Sequence, residues 1–169
     1  DTNTAIRFPA ADTVSFETAG DEAARINSGQ KILVGTTAQR DVGSSAQSVV
    51  AIEGLSQNRS AISLILNSND AISGALRFGK TRGTSVGGTT VVQSSDNLGQ
   101  IRFAGSDGTD LTNITALIGA QVNGTVASNT IPTDLVFETS ATNGSSRTEA
   151  LRITSDGNIY TSGDQVRDD

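Results

Sequence analysis

The chain has 169 residues, with no Cys, His, Met or Trp and only two Lys, one Tyr, two Pro and five Phe. Without His or Cys, nucleophile systems of the Ser-His-Asp or Cys-His kind, zinc sites of the usual ligand types and disulfides are excluded. A formal net charge of −6, with twelve basic residues scattered along the chain, argues against a nucleic-acid partner.

Apolar and polar residues alternate with period two in short runs bounded by Gly, Asn, Asp and Ser, the pattern of half-buried antiparallel strands. In chain order the expected strands lie at about 4–8, 13–18, 23–27, 31–35, 47–53, 60–66, 74–79, 89–93, 99–104, 114–122, 134–139, 149–154 and 158–161. The best helical candidate, Asp110 to Gln121, is rich in Thr and Ile and carries Gly119, so it too reads as strand. Asn67-Ser68-Asn69-Asp70, Ser106-Asp107-Gly108, Asn123-Gly124, Asn143-Gly144 and Asp156-Gly157-Asn158 mark the turns. With 41 Ser and Thr, 18 Gly and 35% hydrophobic residues, one subunit has a thin core, and association with identical chains is expected. No apolar run approaches the roughly 20 residues that span a bilayer, so no membrane insertion is expected. The chain opens at Asp1 without a signal segment, which suggests a fragment or a processed product.

Short cassettes recur. Ala5-Ile6-Arg7-Phe8, Ala75-Leu76-Arg77-Phe78 and Gln100-Ile101-Arg102-Phe103 share aliphatic-Arg-Phe, while Val14-Ser15-Phe16-Glu17-Thr18 and Leu135-Val136-Phe137-Glu138-Thr139 share aliphatic-x-Phe-Glu-Thr. The latter pair continues in register, Glu22-Ala23-Ala24-Arg25-Ile26 matching Glu149-Ala150-Leu151-Arg152-Ile153, with a loop six residues longer in the second copy. Each Phe and the aliphatic residue two before it should share a strand face, with Arg on the other. The expected structural core is Phe8, Phe16, Phe78, Phe103 and Phe137 with Ile26 and Ile153. The expected organisation is a shaft-like repeat over 1–36, a linker at 37–46, a main β domain over 47–160 ending in the second cassette at 134–160, and a charged tail at 161–169.

These cassettes, with Gly79-Lys80-Thr81-Arg82-Gly83-Thr84, Ala104-Gly105-Ser106-Asp107-Gly108-Thr109-Asp110 and Leu151-Arg152-Ile153-Thr154-Ser155-Asp156-Gly157-Asn158, resemble the repeats of tail-fibre proteins of marine bacteriophages. The motifs are short, but their order covers most of the chain. Asn123-Gly124 stands where Asp-Gly is usual, and Asp21-Glu22-Ala23-Ala24 is a degenerate form of its element. The resemblance implies an all-β chain of antiparallel sheets, as a β-sandwich or as β-prism units of an elongated homotrimeric fibre, with little or no helix. It also implies partners: the chain itself, other tail or fibre proteins of the virion, and a host-surface glycan or protein. The implied location is the virion exterior, after assembly in the bacterial cytoplasm. In related fibres a comparable position precedes an intramolecular chaperone that is cleaved off, so Asp169 is read as a processed end, a boundary of the expressed segment or the limit of order.

Several motifs point elsewhere but lack their context. Gly74 to Thr81 matches G-x-x-x-x-G-K-[ST], yet Gly83, Gly87 and Gly88 follow where a phosphate-binding loop needs a helix. Ser28-Gly29-Gln30-Lys31 has S-x-x-K spacing, but Lys31 opens a strand rather than the next helical turn. Asp107, Asp110 and Asn113 lack the distal Glu of a calcium loop. Asn58, Asn113, Asn123 and Asn143 begin N-glycosylation patterns that would be inert in bacterial cytoplasm. Paired carboxylates suffice for glycan cleavage, but one Tyr and no Trp give few stacking platforms. No catalytic residue, metal or cofactor is assigned, and no enzymatic activity is expected. The alternatives are a glycan-binding or depolymerising head, contacting through loops 82–98 and 123–133, and a capsid or neck fibre of the same fold.

Overall fold

The computed structural model describes residues 2–45, 47–141 and 146–162, and it divides into two compact units, Asp1–Ala75 and Leu76–Asp169. The first unit holds a sheet of five short strands: β1 (Ala5–Arg7), β2 (Val14–Thr18), β3 (Asp21–Ile26), β4 (Ile32–Val34) and β5 (Val50–Ile52), in that spatial order. The first four are antiparallel neighbours, and β5 joins β4 in parallel. Residues 37–46 therefore connect two strands of one sheet, and the boundary between units falls at Ala75 instead. Ala19 and Gly20 turn β2 into β3 with φ of 56° and 87°. Positive φ at both central residues makes the tight turn whose twist matches the flanking strands.

The second unit is an antiparallel meander, β6 (Asn97–Ala104), β7 (Ile114–Val122), β8 (Thr133–Ser140), β9 (Arg147–Ile153) and β10 (Ile159–Thr161), each paired with the next. Among the described residues the only helical element is one 3-10 turn, Gln57–Arg59. The chain is all-β, and ten of the expected strands are present. The Asn143-Gly144 turn and the tail from Gly163 onward lie outside the described residues.

The runs 60–66, 74–79 and 89–93 form no strand. Thr90, at the start of the last of these, closes a loop back to 81–82, through Arg82 N to Thr90 O at 3.1 Å and Thr81 Oγ1 to Thr90 O at 2.8 Å. Val92 is buried there. From Leu55 to Lys80 every residue is exposed.

Burial within one chain does not follow the Phe residues. The buried hydrophobic side chains are Leu33, Val92, Leu117, Val122 and Val136. Phe8, Phe16, Phe78 and Phe103 are exposed, as is Ile26, while Phe137 and Ile153 are half-buried. The core expected at these positions is not closed by a single chain.

Candidate functional site

Register sorts each sheet into two chemically different faces. In the first sheet one row across the strands runs Ile6, Phe16, Ala24, Val34 and Ile52, and the next runs Val14, Ile26, Ile32 and Val50. The adjacent row on the opposite face is Arg7, Ser15, Arg25, Leu33 and Ala51. In the second sheet, Ile101, Ile118, Phe137 and Leu151 form one row, and Gly99, Ala120, Leu135, Ile153 and Ile159 the next. Its opposite face carries Gln100, Gly119, Val136, Arg152 and Tyr160. Alternation along strands thus places the Phe and Ile residues of the paired cassettes on one side and the Arg on the other.

The charged face is the one that is covered. Leu33 and Ser15 in the first sheet and Leu117 and Val136 in the second, cross-strand neighbours of its Arg and Glu residues, are buried. The apolar faces stay open over most of their extent, with Val122 at the end of β7 buried: Ile6, Phe16, Ile32 and Val50 are exposed in the first sheet, and Ile101, Phe103, Leu135 and Ile159 in the second. Part of the second face is a shallow apolar depression of about 340 Å³ lined by Phe78, Leu98 and Ile118 among others. Phe78 rests against β6 at Gly99, where an added Cβ would lie 2.4 Å from the Phe78 Cβ. Contiguous exposed apolar surface of this kind marks an interaction face.

A bulge builds the charged face. In a regular strand, residues three apart point to opposite sides. The register of β2 against β3 shifts between Phe16 and Glu17, leaving Ala23 as the extra residue, and that of β8 against β9 shifts between Phe137 and Glu138, leaving Ala150. Each shift brings a Glu and the Arg three residues later onto one face. Both pairs are bidentate: Arg25 Nε and Nη2 donate to Glu22 at 2.5 and 2.6 Å, and Arg152 Nε and Nη2 donate to Glu149 at 2.9 and 2.6 Å. The two cassettes also end in like hairpins, with Asn27 N to Lys31 O at 3.0 Å and Thr154 N to Asn158 O at 2.9 Å.

One buried position sets the cassettes apart. Asp134, fully buried, stands where the first cassette has Thr13. Its Oδ2 accepts from Arg152 Nη1 and Asn123 Nδ2, both at 2.7 Å, and its Oδ1 accepts from the Ser155 amide at 2.9 Å. Burial works against the Asp134 charge, but these three donors outweigh it and hold the carboxyl below the usual carboxylate range. The hydrogen bonds from Arg152 likewise lower Glu149. Glu149 first, and Asp134 second, raise Arg152. Arg7 pairs with Glu17, Arg40 with Glu53, Arg82 with Asp96 and Arg147 with Glu138. These Arg residues are thus matched within the chain.

The other candidate positions resolve as local structure. Asp107 Oδ1 accepts from the amides of Thr109 and Asp110 at 2.8 and 3.2 Å, and its Oδ2 accepts from Asn113 Nδ2 at 3.1 Å, so it caps its own turn. Asn27 Oδ1 accepts from the amides of Gly29 and Lys31, which places Lys31 at the mouth of β4. Lys80 Nζ donates to the Thr81 carbonyl, and no helix follows. No cluster of three or more metal-ligating side chains occurs among the described residues. The two loop regions named from sequence do converge. Lys80, Thr89 and Thr90, with Val126, Asn129 and Ile131, line a groove of about 690 Å³.

No protein-family model matches the chain, and no curated protein matches it. Solved structures do resemble it. The carboxy-terminal domain of the bacteriophage T5 L-shaped tail fibre superposes with a TM-score of 0.70 at 15% identity, over 92% of this chain and 67% of that one. The same domain with its intramolecular chaperone gives 0.71 at 15% identity, over 92% of this chain and 46% of the other. The chain thus spans about two thirds or less of these structures, and at this identity the likeness is one of fold: the fold of a phage tail-fibre carboxy-terminal domain.

Proposed function

We propose that the chain is a structural segment of a bacteriophage tail fibre, carried on the outside of the virion and assembled as a homotrimer. One observation carries this reading: a chain with the fold of a tail-fibre domain leaves much of the apolar face of both its sheets in water while Arg7, Arg25 and Arg152 of the opposite faces pair with carboxylates of the same chain. Copies of the chain are the natural cover for such faces, because apolar burial drives association without requiring a charged partner. Mass photometry or sedimentation tests it. Three copies of 17.3 kDa give about 52 kDa, and a stable monomer overturns the reading.

A fibre of this kind would present its loops to the host surface, where multivalency turns weak contacts into firm attachment. The convergence of residues 80–92 and 126–131 on one groove favours a saccharide-binding contribution there. Binding of the purified assembly to host cells, compared with a variant carrying Thr89→Ala and Asn129→Ala, checks it; equal binding places the contact elsewhere. The role is proposed to be non-enzymatic. The carboxylate pair Asp134 and Glu149 is committed to Arg152, and incubation with host polysaccharide should release no fragments.

A further inference from the structure

The segment from Ala61 to Gly79 has the sequence of strands and the surroundings of none. Ile62, Leu64 and Leu66 alternate along its first run, and Ile72, Leu76 and Phe78 along its second, with Gly74 at the intervening position. All six apolar side chains are at least 45% exposed. Among the described residues, no main-chain group between Ala61 and Gly79 bonds to another main-chain group. The Ile72 amide, held by Asp70 Oδ1 at 3.1 Å, is the one that finds a side-chain acceptor. The two runs nevertheless pass close: a Cβ built on Gly74 would lie 3.3 Å from the Leu64 carbonyl oxygen. Extended, apolar backbone with unpaired donors and acceptors is a template for strand addition.

We propose that this segment is an exchanged strand pair, whose runs 61–66 and 72–78 complete their ladders on the same segment of other copies of the chain. The proposal rests on the self-association proposed above and states where main-chain pairing crosses between copies. Charge favours a like partner. The whole chain carries −6, but 60–79 holds only Asp70 and Arg77 and is neutral, so identical copies meet there without repulsion. Permanence favours it too. Six apolar side chains and a continuous row of open main-chain groups would drive non-specific aggregation unless covered whenever the chain is folded, and another copy is always present at assembly.

Hydrogen exchange on the intact assembly, read peptide by peptide, tests the proposal alongside mass photometry. Amides of 61–66 and 72–78 should exchange at least about a hundredfold more slowly than an unstructured chain, although no main-chain bond within one chain protects them. Ser63→Pro and Ser73→Pro provide the second arm. Neither amide bonds another main-chain group within the chain, so each variant should keep the sheet signature in circular dichroism while losing the assembly. An assembly of about 52 kDa whose 61–79 amides exchange freely, or proline variants that assemble and melt like the parent, overturns the exchanged strands and leaves self-association standing. A monomer overturns both. Protection that appears only with an unlike polypeptide in the particle also overturns the proposal, because the occupant is then not a copy of this chain.

Discussion

Replacing Asp134 with Ala isolates the one fully buried carboxylate of the second sheet. The change removes acceptors for Arg152, Asn123 and the Ser155 amide. Breaking a buried ion pair by deleting one partner costs about 3–5 kcal/mol. Arg152 is 22% exposed and keeps both bonds to Glu149, so the charge left behind is only partly orphaned and the lower end, about 3 kcal/mol, is expected. Tyr160, the single tyrosine, is the cross-strand neighbour of Arg152, so its fluorescence together with far-UV circular dichroism follows denaturant unfolding of this row. Glu149→Gln is the control: its side chain is 40% exposed, and the expected cost is below about 1 kcal/mol. The carboxyl of Asp134 lies below its ordinary value in the folded chain, so its contribution is complete above an unfolded value of about 4 and is lost as pH falls through the folded value. The parent should therefore lose stability below about pH 4 more steeply than Asp134→Asn. A loss under about 1 kcal/mol for Asp134→Ala, or a larger loss for Glu149→Gln, would refute the reasoning.

Other outcomes follow from the same geometry. Gly99→Ala should destabilise the second unit by about 1–3 kcal/mol, because Phe78 occupies the space of the new methyl group, while Gly79→Ala, with nothing within 4 Å, should stay within about 0.5 kcal/mol of the parent; equal unfolding curves would remove Phe78 from β6. The Ser15 hydroxyl is buried without a hydrogen-bond partner, and the second cassette has Val136 in its place. Ser15→Ala should be neutral or stabilising by up to about 1 kcal/mol, and a loss beyond that would mean the hydroxyl is satisfied. Phe103, half in water on the open face, should matter mainly between copies: Phe103→Ala should weaken association about tenfold or more by mass photometry with little change in the spectrum of the dissociated chain. A variant that assembles as tightly as the parent would take Phe103 out of the interface.

Strands were legible where alternation and turn residues agreed, as in Arg147–Ile153 and Ile159–Thr161 with Asp156-Gly157-Asn158 between them. Runs 60–66 and 74–79 show the limit of such reading: Ile62, Leu64 and Leu66 alternate like strand residues, but a strand needs a partner, and sequence alternation does not say whether the partner is in the same chain. The same ambiguity explains the Phe residues. Their recurrence correctly marks one side of each sheet, whereas burial depends on what lies opposite, and within one chain the side that is covered is the Arg side. The Glu-x-x-Arg spacing was visible but its meaning was not, since an odd spacing separates the two residues unless a bulge intervenes. Asp134 gave no signal beyond an Asp inside a strand, a position where Asp is uncommon.

The extra alanines, Ala23 and Ala150, set a rule for which changes of length the chain can absorb. Between Phe-Glu-Thr and the following Glu, the two cassettes differ by six residues without disturbing their pairing. Within Glu22–Ile26 or Glu149–Ile153 the bulge already absorbs one residue: removing Ala23 or Ala150 would leave the Glu and Arg two apart on the charged face of a regular ladder, whereas one residue more would turn the Glu into the open apolar side or the Ile into the charged one. A single-codon insertion there should thus be worse than loss of Ala23 or Ala150, and divergence among copies of this cassette should accumulate as loop insertions rather than as residues added between the Glu and the Ile.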